Sequence, residues 1–368
     1  MHRSLFAVAA LLVVAAPAHA QLPQGKQILA VVKSHKDSDH LNAVMCGVWK
    51  DGKPIVETAM GISMTGVPAT RDMHYRVGGV TYTCLATLLL MFDDLDKLSL
   101  SDPVSKWYPN LPNAKRVTLA MLANCTSGYP DYVPDAEFLK DMVKDPFREF
   151  SSAQLLHYAF RTPLLYEPGK GFNYSHTNFV ILGEIIEKVG KRPLGELLHK
   201  YMFKPLGLKE TYVPSNSEIR QPVLHGFTKD RDVYEDSTYW NPSWTRAAGM
   251  LVSTIHDLGV LCNAIGNGRF LSRKNFKLQT EPARLGLGMN KKEAYYGYGV
   301  IMLNGWIAQN PNLQGYATMF AYLPAKKLSI VVTATQSLNS GPKRGDMPIF
   351  YELAKLLAPG YPVTDISK

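Results

Sequence analysis

The sequence predicts an α/β unit plus an all-α lobe: an antiparallel sheet of about five strands, flanked by N- and C-terminal helices, with a helical lobe inserted into it. Three observations predict this. A hairpin signal lies near the start of the chain and a group of strand-like runs lies near its end. Between them, a long stretch reads as helices joined by loops rich in Pro and Gly. Strands from the two ends must meet in space, so the middle loops out as a lobe, and the cleft between lobe and sheet is the default site. With 368 residues, 46% of them hydrophobic, the chain is long enough to bury a large core as one unit of two subdomains.

The elements follow in order. Arg3, an apolar run from Leu5 to Ala16 and the small-x-small pattern Ala18-His19-Ala20 read as a signal peptide over residues 1–20, with Gln21 opening the mature chain. The run is too short to span a bilayer, and Gln21 in place of Cys argues against a lipid anchor. The expectation is an exported protein, periplasmic or secreted, without stable membrane insertion. Gln27 to His35 reads as a helix. Ala43 to Trp49 and Pro54 to Met60, joined through Asp51-Gly52, read as a hairpin. The sheet subdomain is expected over about residues 21–75 and 270–368, and the helical one over about 76–269. Tyr298 to Leu303, Gly315 to Leu323 and Leu328 to Ala334 read as strands, and Pro348 to Leu357 as the closing helix.

Composition narrows the function classes. The formal net charge is +9, but Lys and Arg are scattered singly or in pairs, with no basic run that would track a phosphate backbone. No nucleic-acid partner is expected. The ten His show no H-E-x-x-H and the four Cys no C-x-x-C, so neither a metal nor another cofactor is expected. Gly286-Leu287-Gly288 lacks the strand and the Gly spacing of a dinucleotide loop. In an oxidising compartment Cys46, Cys84, Cys125 and Cys262 form either up to two disulfides or four buried thiols.

Several ordered segments carry a resemblance. Tyr75 to Leu98 continues into Leu100-Ser101-Asp102-Pro103-Val104-Ser105-Lys106. Next come Thr126-Ser127-Gly128-Tyr129-Pro130-Asp131-Tyr132 and the loop from Glu167 to Asn178, containing Tyr174-Ser175-His176. Further on are Lys204-Pro205-Leu206-Gly207-Leu208, the run from Ala247 to Thr254, and Gly315-Tyr316. Together these resemble the serine β-lactamase and penicillin-binding-protein superfamily, in the branch of class C β-lactamases, D-amino-acid peptidases and related esterases. The resemblance covers nearly the whole mature chain.

That resemblance implies a serine at the start of a helix, with a lysine three residues later on the same face helping to deprotonate it. Here Gly79-Val80-Thr81-Tyr82 stands in that place. Gly79 has no side chain to attack with, and Tyr82 replaces the cation by a phenol of reference pKa about 10. Tyr174 matches the family's proton-shuttling tyrosine, and His176 stands where Asn is usual. Without the lysine, Tyr174 is expected to be mainly a neutral hydrogen-bond donor, with a packing aromatic as the alternative. A cleft or capping role is the plainer reading for His176.

The third family element, Lys-Thr-Gly or His-x-Gly, aligns with Gln309-Asn310-Pro311, and Asn312 follows it. Pro311 replaces the small residue that lets a substrate backbone approach. Relatives hold an oxyanion on backbone N–H groups at the serine position and just after the third element, so Gly79 and Asn312 are the expected donors here. Gln309, Asn310, Asn312 and Tyr316 complete the expected binding edge, and Tyr82, Tyr174, Tyr316, Trp240 and Trp244 are candidate aromatic walls. No substitute nucleophile is well placed. Thr81 lies about 200° and Cys84 about 140° around the helix from position 79, and Ser175 lies on another loop.

Three function classes stay open. The first is a pseudoenzyme binding a small-molecule, peptide or cell-wall-derived ligand. The second is an enzyme with non-covalent chemistry using Tyr174, Tyr82 or His176. The third is a hydrolase with a displaced nucleophile.

Overall fold

A computed structural model describes residues 22–282, 285–341 and 344–363. The expected leader over residues 1–20 lies outside them. Helix α1 (Leu22–Ser38) precedes strands β1 (Leu41–Lys50) and β2 (Lys53–Met64). Asp51 and Gly52 both have positive φ, 51° and 73°, the primed two-residue turn expected of Asp-Gly, whose twist suits an antiparallel ribbon. The edge strand β3 (Val67–Pro68) follows. Near the C-terminus come β4 (Ala294–Tyr296), β5 (Ile301–Leu303), β6 (Trp306–Gln309), β7 (Asn312–Leu313), β8 (Tyr316–Leu323) and β9 (Leu328–Gln336).

The sheet runs β3-β2-β1-β9-β8-β6-β5-β4, with β7 pairing β8 off this path, and its pairings are antiparallel. The two ends of the chain do meet: β1 pairs β9 from Leu41 opposite Gln336 to Lys50 opposite Leu328. The sheet has nine strands where about five were expected. The additional ones are mostly two or three residues long, too short to show alternation in sequence and held by their neighbours.

Both faces of the sheet are covered, which is why its strands read as nearly continuous apolar runs. On one face Met45, Trp49, Phe320, Tyr322 and Val331 pack against the lobe. On the other, Val44, Cys46, Val48, Met319, Ala321 and Val332 pack beneath α1 and the C-terminal helix Asp346–Leu357. Within the lobe, helix α2 (Val80–Asp94) is apolar nearly all round and buried from Val80 through Leu90. Helix α3 (His176–Gly190) packs against it, and helix α4 (Ile255–Gly266) lies on β1, β8 and β9.

The lobe is not purely helical. Tyr75–Arg76 pairs with Val252–Ser253, and Phe227–Thr228 with Glu235–Asp236, as two-residue ribbons. The four cysteines are buried free thiols. Among the described residues no helix is long and apolar enough to cross a membrane, and no three of His, Cys, Asp and Glu gather as a metal site would require.

Candidate functional site

A cleft of about 1250 Å³ opens between sheet and lobe. Its floor is the start of α2. Gly78 takes φ 48° and comes so close to β7 that a Cβ there would stand 2.8 Å from Pro311 Cβ, so only glycine suits that corner. Gly79 caps the helix in ordinary helical geometry, φ −65°. A Cβ on Gly79 would meet the Tyr82 ring at 3.1 Å and Tyr174 Oη at 3.6 Å. The aromatic ring one turn along thus leans over position 79 and crowds the space a side chain would need.

Tyr82 is fully buried and packs on Phe179, with ring centroids 3.9 Å apart. Its ring lines the cleft, but its hydroxyl is sealed from solvent and lacks a partner of good hydrogen-bond geometry among the described residues. Burial holds that phenol well above its ordinary ionisation range, and the neighbouring Tyr174 phenol adds to the shift. Tyr174 stands edge-on to Tyr82 and to Tyr296, at 5.4 and 5.8 Å. About a third of its surface, 36%, faces the cleft, while its hydroxyl sits over the floor. Burial of that hydroxyl also keeps it protonated.

His176 opens α3. Its Nδ1 donates to Asp131 Oδ2 at 2.9 Å, and its backbone N–H donates to Asp131 Oδ1 at 3.1 Å. Asp131 therefore does the capping that Ser175 does not, because the Ser175 hydroxyl donates to Pro130 O instead. The imidazole faces Tyr174, Tyr82 and Trp244, at 5.6, 5.7 and 6.4 Å between centroids.

Asn310, Pro311 and Asn312 form the sheet-side edge. Thr318 N–H donates to Pro311 O, so Asn312, opposite Ala317, sits at a non-hydrogen-bonded position of the ladder and turns its own N–H away from β8. Arg344 holds this edge in place. Its guanidinium donates to the carbonyls of Asn310, Pro311 and Thr318 and forms a two-point pair with the fully buried Asp346.

Of the residues expected from sequence, Gly79, Tyr82, Tyr174, His176, Asn310 and Asn312 come together here, and Gln309 and Tyr316 do not. Gln309 is buried behind the edge, with its amide directed at Gly299 O at 3.4 Å. Tyr316 is a core residue whose hydroxyl donates to Leu224 O at 2.7 Å. Trp240 is likewise core, whereas Trp244 lines the cleft. The substitute nucleophiles are all occupied. Thr81 is buried and donates to Gly78 O at 2.7 Å, and burial pushes the Cys84 thiol up to about 12. Among the described residues lining the cleft there is no serine and no cysteine.

Sequence reasoning missed Tyr296, Phe172, Arg344 and the pairing of Asp131 with His176. Tyr296 had no motif around it, and a hydrogen bond across 45 residues leaves no local spacing to read.

The family model described as Beta-lactamase matches residues 28–350. The chain belongs to the beta-lactamase family. Its fold is similar to a D-stereospecific amidohydrolase from Streptomyces sp., at TM-score 0.79 and 24% identity over 90% of this chain and 98% of that one. It is similar as well to the D-amino acid amidase from Ochrobactrum anthropi SV3, at TM-score 0.79 and 22% identity over 92% and 99%. A putative D-alanyl-D-alanine carboxypeptidase of Salmonella paratyphi B is 28% identical over 202 residues, 47% of this chain and 46% of the relative. The match thus spans about half the length of that curated relative. This beta-lactamase-family chain presents an aromatic cleft with its charged groups at the edge and its polar donors at the floor.

Proposed function

We propose that this chain is an exported, ligand-binding member of the beta-lactamase family that does not form the family's acyl-enzyme. The observation that carries the reading is the cleft lining: among the described residues no serine or cysteine lines it, and the Tyr82 ring crowds the space above Gly79. A nucleophile at that position is absent, and the room it would use is largely taken. The ligand is a small molecule, peptide or cell-wall-derived fragment with a planar or apolar part, matched to the walls of Phe172, Tyr174, Trp244 and Tyr296.

The similar proteins supply the first probes: D-phenylalanine amide and D-alanyl-D-alanine, alongside a set of cell-wall peptides. Titration calorimetry with product analysis of the same samples tests the reading. Saturable binding with the probe recovered intact is expected. Release of ammonia or D-alanine by the wild-type protein would overturn it.

A further inference from the structure

Asp131 caps α3 and, beyond that role, pairs through its second oxygen with an imidazole that lines the aromatic cleft. In the neutral tautomer whose Nδ1–H donates to Asp131, Nε2 of His176 carries the ring's lone pair, and that atom has no hydrogen-bond partner among the described residues. His176 itself lines the cleft. Three donors belong to residues of the same cleft: the Tyr174 hydroxyl and the N–H of Gly79 at the floor, and the N–H of Asn312, turned away from β8, at the sheet-side edge. A candidate base and oxygen-binding donors thus line one cleft, among whose described residues there is no serine and no cysteine.

Resting on the reading of the cleft as non-acylating, we propose that it transfers a proton at a carbon next to a carbonyl of an aromatic ketone-like substrate, with His176 as the base. Nε2 takes the proton, and the C–H electron pair becomes a C=C bond while the carbonyl π pair moves onto oxygen. The enolate oxygen is held by Tyr174 Oη–H and the two backbone N–H groups. The imidazolium, stabilised by Asp131, then returns the proton to the same carbon or to the far end of a conjugated system. Substrate and product are isomers, and no oxidant, reductant or other reactant enters. His176 and Tyr174 are the catalytic residues, and Asp131 is a positioning residue.

The test uses the full mature chain with 2-tetralone and phenylacetone in D2O, following loss of the α-proton signals by NMR. The wild-type protein is expected to speed exchange at least about 100-fold over buffer. His176→Ala should abolish it, and added imidazole should restore part of it, which a purely structural role would not allow. His176→Asn, which keeps a polar group next to Asp131, guards against misfolding and should be equally inactive. Tyr174→Phe should lower the rate about 10-fold or more, and Asp131→Asn should lower kcat while leaving KM unchanged. Exchange that persists in both His176 variants overturns the assignment of the base. Ketone binding without exchange, or neither binding nor exchange, overturns the proposed reaction but leaves the non-acylating cleft standing. A covalent adduct or hydrolysis of the amide and peptide probes overturns that underlying reading instead.

Discussion

At the scale of single residues, the site turns on the contact between position 79 and position 82. A Cβ at Gly79 would press on the Tyr82 ring at 3.1 Å without any backbone strain, so the two positions should behave as a unit. Gly79→Ala is expected to cost about 1 kcal/mol through overpacking. In a Tyr82→Ala background the same change should cost little, giving a coupling energy of at least about 0.5 kcal/mol by urea denaturation. The buried phenols make a second prediction. Their pKa values are raised in the fold, so the stability they contribute is fully present below about pH 10 and is lost as pH rises toward the folded values. Denaturation at pH 8 and pH 11 should show the loss, and a Tyr82→Phe, Tyr174→Phe double variant should show less of it. Gly79, Tyr82, Tyr174 and His176 were legible because each occupies a fixed place in an ordered motif. Asp131 stood in a recognised segment, but its role appears only when the fold brings it beside His176. Gln309 and Tyr316 were misplaced because adjacency to a motif in sequence does not say which side of a strand faces the cleft.

At the scale of elements, two devices position the cleft. Arg344 joins the Asn310-Pro311 segment between β6 and β7, the start of β8 and the C-terminal helix through three carbonyls and Asp346. Arg344→Met would leave the buried Asp346 carboxylate uncompensated and should cost about 3 kcal/mol, whereas the additional change Asp346→Leu should recover part of it. The second device is the seat of α4 on the sheet. Trp49 fits between Gly47 and Gly259, and a Cβ at either would lie about 2 Å from the indole. Gly259→Ala is therefore expected to cost about 1–3 kcal/mol and lower the thermal midpoint, because α4 must lift from β1. Long strands and helices were readable since their periodicity extends over many side chains. Strands of two or three residues, and the ribbons inside the lobe, exist only through their partners and left no pattern to read.

At the scale of the whole molecule, the two ends of the chain build the sheet, the middle builds the lobe, and the cleft between them is bordered by both. This architecture is that of the beta-lactamase family, and it was legible because many weak segment likenesses occur in the family's order. What the cleft does depends on the floor rather than on the frame: the floor carries Gly79, and the Tyr82 ring crowds the space that a side chain there would need. The most direct measurement of that claim is the intact mass of the purified protein after incubation with a penicillin and a fluorophosphonate, followed by peptide mapping. An unchanged mass is the predicted result. A stoichiometric adduct mapping to any residue of the cleft would contradict it.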